Sequence, residues 1–380
     1  METADVVVVG GGVMGCSMAY HLAARGVDVI LFERGSLGSG STGKNAGGVR
    51  QQFSSELNVR IQMLSVRLLE RFEEEIGVPA DFRRVGYLFL LTRPQEVEAF
   101  RRQLEMWHRV GLSEATWLSA AEARKKVPAL EVRDVLGCTF CPSDGIASPD
   151  AVTMGYAAAA RRCGARLLEG EEVTGIDVNN GRVAGVRTMR REVSSRVVFN
   201  CAGPWSRSVG ALAGIEVPVL PYRRHIWVTG PMPEVARDSP FTVEFATTFY
   251  FHPEGDGLLF GMSDRKEPST FSTDVSEAFA ERTFEVAMRR VPVLEHTGIK
   301  TAWAGLYEST PDHQAILGPA EGVEGLWCAC GFSGHGFMQA PAAGRLLGQM
   351  LVDGRSEIDL APLAHARFAA GGLVAEKNVI

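Results

Sequence analysis

A chain of 380 residues, 46% hydrophobic and 22% charged, has ordinary globular composition and the length of two or three domains at about 150 residues each, which excludes disordered, collagen-like and low-complexity classes. The formal net charge is −6 with no long basic run, which argues against a nucleic-acid binder, whose affinity rests on clustered Lys and Arg. No apolar stretch reaches the roughly 20 residues a membrane span needs, and the acidic start Met1-Glu2-Thr3-Ala4-Asp5 is unlike a secretory signal, so a cytoplasmic location is expected.

Asp5 to Val9 is a β-branched run of the kind that forms a buried parallel strand. Gly10-Gly11-Gly12-Val13-Met14-Gly15 follows, then a helical stretch from Cys16 to Arg25 closed by Gly26, then a second β-branched run from Val27 to Phe32 ending in Glu33. A polar, glycine-rich stretch, Gly35 to Gly48, leads into a helix over 54–76 with Leu57, Ile61, Leu64, Leu68, Leu69 and Phe72 on one face. Tyr87 to Leu91 reads as a strand and Pro94 to Val110 as an amphipathic helix. Ser119 is placed to cap a helix, with Glu122 at the reciprocal position.

Pro149 to Cys163 reads as a helix, and strands near 172–178 and 182–188 are joined by Asn179-Asn180-Gly181, strong hairpin chemistry. Val197 to Asn200 is a further buried strand, and residues 216–310 are rich in strand-like runs with one helix near 275–290. The chain then gives a strand (Leu326 to Ala329), a glycine-rich turn (Gly331 to Gly336) and a helix from Gln339 to about residue 352, with Pro341 expected in its first turn. The tail after 365 is expected to fray. No internal repeat or disordered linker is visible.

The seven cysteines are scattered. Cys138 and Cys141 form a lone CxxC and Cys328 and Cys330 a CxC, whereas a structural zinc site needs four convergent ligands. These four are read as buried thiols rather than as a zinc site or a redox pair.

Gly10-x-Gly12-x-x-Gly15 follows a strand, opens a helix and is trailed by an acid 18 positions beyond Gly15, the context a dinucleotide fingerprint requires. The first Gly makes the tight turn, the second lets the backbone approach a diphosphate, and the third lets the helix pack on the sheet. The helix N-terminus supplies free N–H groups to the phosphates. Glu33 can accept from ribose hydroxyls and would repel a 2′-phosphate. An NAD dehydrogenase would continue with further βαβ units. This chain instead enters Gly38 to Gly48, and returns with Asn200-Cys201-Ala202-Gly203 and again at Gly331 to Gly336.

Four stretches, GSGSTGKNAGGVRQQF (38–53), GYLFLL (86–91), TAWAGLYESTPD (301–312) and CGFSGHGFMQAP (330–341), resemble the FAD-dependent amine and amino-acid oxidoreductases that include D-amino acid oxidase, glycine oxidase and sarcosine oxidase. The resemblance covers essentially the whole chain and is strongest to the β subunits of heteromeric sarcosine oxidase and dye-linked L-proline dehydrogenase. It implies an α/β fold: a discontinuous Rossmann-like FAD-binding domain of glutathione-reductase type (1–82, 145–215 and 311–380) and a substrate domain with a mixed, largely antiparallel sheet (83–144 and 216–310). It implies cofactor contacts from Gly10, Gly12, Val13, Met14, Gly15, Glu33 and Arg34, and from Ser41, Thr42, Asn45, Ala46 and Gly47. Further contacts are implied from Val173, Ala202, Gly203, Trp205, Gly305, Gly334, His335, Gly336, Phe337 and Met338.

Such enzymes take a hydride equivalent from the carbon beside an amine nitrogen, and the imine product then hydrolyses; the protein positions, desolvates and supplies electrostatics. Reduced flavin carries negative charge near N1, which a helix N-terminus at 331–338 would stabilise. His335 either adds charge there or faces solvent in a capping loop. Arg50 is placed by the resemblance to hold a substrate carboxylate in a guanidinium fork, or else pairs with Glu56 or the flavin region. Tyr250 and Tyr307 are expected in the active site; His225 and His252 are expected to be structural.

Three departures matter. Gly305 stands where monomeric sarcosine oxidase has its tethering cysteine, so FAD is expected to be non-covalent. Leu259 stands where that enzyme has its oxygen-activating lysine, which favours a dehydrogenase over an oxidase. Met338 replaces its carboxylate-binding lysine, which leaves the substrate open among sarcosine, proline, another N-alkyl amino acid or something larger. Two other readings stay open: a flavin-bearing assembly protein without turnover, and a β subunit that works only with an α subunit or electron-transfer partner, with a second flavin (FMN) at the subunit contact.

Overall fold

The structure is a computed structural model that describes residues 2–371 and 373–380. Its centre is a six-stranded sheet in the order Ile316–Pro319, Leu326–Cys330, Val197–Asn200, Val6–Val9, Val29–Glu33, Arg166–Glu169, parallel except for the first pair. The alternation of the valine run decides what covers it. Val6 and Val8 face a layer of helices, Val13–Ala23, Pro149–Arg162 and Gly336–Asp353 among them. Val7 and Val9 face the small sheet that holds the hairpin Val173–Asn179 and Arg182–Thr188. Strands buried on both faces read as continuous apolar runs. The hairpin turns at Asn180 and Gly181, both at positive φ, as an Asn-Gly loop should.

The second layer is an eight-stranded sheet, ordered Ile299–Ser309, Leu220–Thr229, Gly257–Met262, Phe249–Glu254, Phe241–Glu244, Tyr87–Leu91, Gly137–Cys141, Thr116–Leu118. Phe241–Glu244 runs parallel to Tyr87–Leu91 and every other neighbour is antiparallel. One face packs Leu88, Leu90, Trp227 and Phe260 together with Phe279 of the helix Glu277–Arg290. The other presents Tyr87, Ile226, Phe241 and Tyr250 towards the first layer. Cys138 belongs to the first of these faces and Cys141 to the second, so the strand itself parts the CxxC thiols.

Three expectations are corrected. The stretch 54–76 is two helices, Glu56–Glu70 and Phe72–Ile76, broken at Arg71. The last long helix begins at Gly336, so Pro341 lies inside it rather than in its first turn. Ser65 relieves the defect: its hydroxyl accepts the Ala342 N–H at 3.0 Å and donates to the Gln339 carbonyl at 3.3 Å.

The tail does not fray. Asn378 is fully buried, its amide donating to the Gln52 carbonyl (3.1 Å) and to Gln103 (2.8 Å), and its own carbonyl accepting from Arg50. Glu376 accepts the Ser54 N–H at 2.8 Å and the Asn58 amide at 2.9 Å. The partners of the Asn378 amide lie 326 and 275 positions away in sequence, where no local pattern reveals them. A buried amide that loses its partners costs about 1–3 kcal/mol. We expect Asn378→Ala to lower stability by that order in urea unfolding; an unchanged midpoint would show the tail to be only loosely attached.

Candidate active site

A cavity of about 680 Å³ lies between the two layers. Its nucleotide end is built by close approaches that only glycine allows. Gly10 has φ +109°, and a Cβ there would sit 2.5 Å from the Cys201 carbonyl oxygen. A Cβ on Gly15 would sit 1.9 Å from the Gly10 carbonyl oxygen. The helix behind them starts at Gly12 with no cap from that residue and no acid in its first turn, so its dipole end faces the cavity, the arrangement that holds a diphosphate. Thr42 reaches this end and accepts the Val13 N–H at 3.1 Å. Glu33 accepts the Gly11 and Gly35 N–H groups at 2.7 and 2.8 Å, which fixes the carboxylate on the cavity wall. The Arg34 guanidinium lies 3.9 Å over the Trp205 ring, and both border the cavity.

At the other end a second helix N-terminus opens onto the same space. The helix from Gly336 has no side-chain cap at His335 and no acid in its first turn. Gly334 has φ +95°, and a Cβ on it would strike the Tyr307 ring at 2.3 Å. Two helix N-termini facing one elongated cavity fit a dinucleotide cofactor with a ring that becomes anionic on reduction. Glu308 borders this end. It accepts the Gly331 N–H at 2.9 Å, and burial pushes its carboxyl up to about 7 against the pull of the Gly331 and Phe332 N–H groups.

The remaining wall carries the groups that could meet a substrate. Arg50 is 1% exposed. It donates to the Gln52 carbonyl at 2.8 Å, to the Asn378 carbonyl and to His335 Nε2 at 3.0 Å. Arginine cannot accept, so Nε2 is the acceptor and His335 is neutral. Burial and the neighbouring guanidinium hold its pKa well below the usual histidine range, so His335 adds no charge and does not face solvent. Glu56 pairs with Arg60 at 2.7 Å, not with Arg50. Among the described residues no carboxylate ion-pairs with Arg50. Tyr87, Tyr250 and Tyr307 border the same space, with Phe241 stacked between Tyr87 (4.5 Å) and Tyr250 (5.5 Å).

Of the residues expected from the sequence, Gly15 and Gly47 stand behind the wall and the rest border the cavity. Gly47 has φ +74°, and a Cβ on it would meet the Ala147 carbonyl oxygen at 2.5 Å, so it shapes the loop rather than the surface. His252 and His225 are outside. The ring nitrogens of His252 lie 2.9 Å from the Pro253 and Ala46 carbonyls, and His225 accepts the Ser276 N–H at 3.2 Å. Sequence reasoning missed Tyr87, Arg224, Ile226, Phe241, Glu308 and Ile380, all on the wall. Tyr87 and Glu308 lie within stretches already singled out; Arg224 and Ile226 become visible only once the strand register is known.

Residues 5–350 match the family described as FAD dependent oxidoreductase. The chain belongs to this family. The family's cofactor is FAD, and the helix ends and glycine contacts above fit it. The human mitochondrial sarcosine dehydrogenase is 34% identical over 385 residues, 97% of this chain but 42% of that protein. This chain thus spans less than half the length of that relative. Glycine oxidase of Geobacillus kaustophilus is 29% identical over 96% of this chain and 97% of that protein. Among solved structures, L-proline dehydrogenase from P. horikoshii superposes with a TM-score of 0.93 at 32% identity, covering 98% of this chain and 99% of that one.

The state of Glu308 can be read in this FAD-dependent oxidoreductase without turnover. Its folded pKa of about 7 lies above the ordinary 4.5, so the folded protein holds the proton longer than the unfolded chain. The stability this contributes is full below about 4.5 and is lost as pH rises through about 7. With FAD removed, the melting temperature of the wild type is expected to fall relative to Glu308→Gln between these limits in differential scanning fluorimetry. A constant difference would place the carboxyl in ordinary solvent.

Proposed function

We propose that this FAD-dependent oxidoreductase oxidises the carbon–nitrogen bond of a small amino acid, with secondary amines such as sarcosine or proline favoured. The observation that carries the reading is Arg50: a buried guanidinium on the cavity wall with no carboxylate of its own, beside the second helix N-terminus and three tyrosines. The relatives named for sarcosine, glycine and L-proline support it.

When bound, FAD accepts the hydride equivalent. The substrate carbon beside nitrogen loses that hydride, the nitrogen lone pair closes the C=N bond, and water then hydrolyses the imine. Arg50 holds the substrate carboxylate with an N–H that Gln52, Asn378 and His335 leave free, and those partners fix the guanidinium in place. Tyr87, Tyr250 and Tyr307 wall the amine from water. The N-terminus of Gly336–Asp353 faces the charge that develops on reduction. The cofactor is non-covalent: Gly305 offers no thiol, and a side chain on it would press on Lys44 at 3.0 Å. Leu259 is buried in the core and offers no ammonium to activate oxygen, so electrons leave to another acceptor, an α subunit or electron-transfer partner. The division of labour follows the two layers, with residues 83–144 and 216–310 forming the substrate side.

Anaerobic mixing with sarcosine, proline, glycine and D-alanine tests this. At least one is expected to bleach the flavin; if none does, the preference for small monocarboxylate amino acids fails. Loss of a charge-assisted contact costs about 1.5–3 kcal/mol, so Arg50→Gln is expected to weaken binding of the reducing amine about 10- to 150-fold with flavin content retained.

A further inference from the structure

Arg224 lies in the middle of the strand Leu220–Thr229, opposite Gly305 of the strand Ile299–Ser309. It borders the same cavity as Arg50, and its guanidinium lies 5.0 Å from the Tyr307 ring centroid. One Nη donates to the Arg223 carbonyl at 2.8 Å. Its Nε is fully buried and has no hydrogen-bond partner. Neighbouring acids are already engaged: Glu267 pairs with Arg223 at 2.8 Å, and Asp264 pairs with Arg282. Among the described residues no carboxylate ion-pairs with Arg224. A desolvated guanidinium with an orphaned N–H is costly to keep, and burial accordingly pulls its pKa below the usual arginine range.

Four cationic residues border the cavity without a carboxylate partner among the described residues, Arg34, Lys44, Arg50 and Arg224, and Arg50 and Arg224 are the two that lie beside its tyrosines. Tyr87 lies within electrostatic reach of Arg50, Tyr250 of Arg224, and Tyr307 of both. All three tyrosines border the cavity that both guanidinium groups share. His335 and Glu308 also border this end, and His335 is neutral and adds no positive charge. One monocarboxylate amino acid would answer one guanidinium and leave the other without an anionic partner.

We infer that the cavity takes a secondary amine bearing two carboxylates, one held by Arg50 and the other by Arg224. This rests on the reading above that a carboxylate-bearing amine occupies the cavity before the flavin, and it names the substrate class. Arg224 is then a specificity-determining residue: it decides which acid is accepted.

The FAD-loaded protein supplies two readouts. Perturbation of the flavin absorption spectrum gives dissociation constants for non-reacting acids, with succinate and glutarate set against propionate and butyrate. Anaerobic flavin reduction gives rates for iminodiacetate and N-methylglutamate against sarcosine and proline. A second charge-assisted contact predicts that the best diacid binds about 10-fold or more tightly than its monoacid counterpart. Arg224→Gln should weaken diacid binding about 10-fold more than monoacid binding with flavin content retained, and Arg224→Lys, which keeps the charge, should restore part of the difference. Equal binding of mono- and diacids by the wild type overturns the inference, as does an equal loss of both in Arg224→Gln. Flavin reduction by sarcosine or proline without diacid preference overturns this inference alone. No reduction by any amine of either class overturns the activity reading and this inference with it.

Discussion

Two helix N-termini reach one cavity because the helices behind them touch. Val13–Ala23 and Gly336–Asp353 each follow a parallel strand of the central sheet and pack side by side. At their contact a Cβ on Gly344 would lie 2.3 Å from the Ser17 hydroxyl, and one on Gly348 would lie 3.5 Å from His21. Protein interiors are close-packed, so an added methyl group at Gly344 would have to push the helices apart. Parting them would separate the dipole end that faces the cofactor's diphosphate from the one that faces its ring. The whole site is hung on that contact.

The large sheet supplies what the helix pair cannot. Its outward face is sealed by the helix Glu277–Arg290, and a buried ion pair between Arg290 and Glu244 at 2.7 Å holds that helix down. Its inward face is therefore free to carry aromatic rings and unmatched cations rather than core leucines. Near Arg50 the electrostatics are set by burial: His335 stays neutral and accepts from the guanidinium, so the positive charge belongs to the arginine alone. A neutral partner orients the fork without competing for an anion. The tail has the same effect, because the Asn378 carbonyl holds Arg50 without neutralising it.

Much of the fold was legible in local pattern. The valine run, the glycine fingerprint and the Asn-Gly turn each state their structure within a few residues, because the physics involved is local: β-branched strands, positive φ, and the steric freedom of glycine. The same holds for the Ser119 and Glu122 cap, which forms as its spacing implies. What misled was local as well. A tail lacking periodicity looked free, and the proline in the last helix looked like a start signal.

The sequence by itself determined that a βαβ unit opens the chain, that its turn is shaped for a dinucleotide, and that a glycine-rich bend precedes the last long helix. Those are properties of neighbouring residues. Only the tertiary structure decided that Asn378 holds Arg50, that His335 is uncharged, and that Arg224 shares a wall with both. Each depends on which distant groups exclude water from a side chain and which offer it a partner, and no spacing along the chain encodes that.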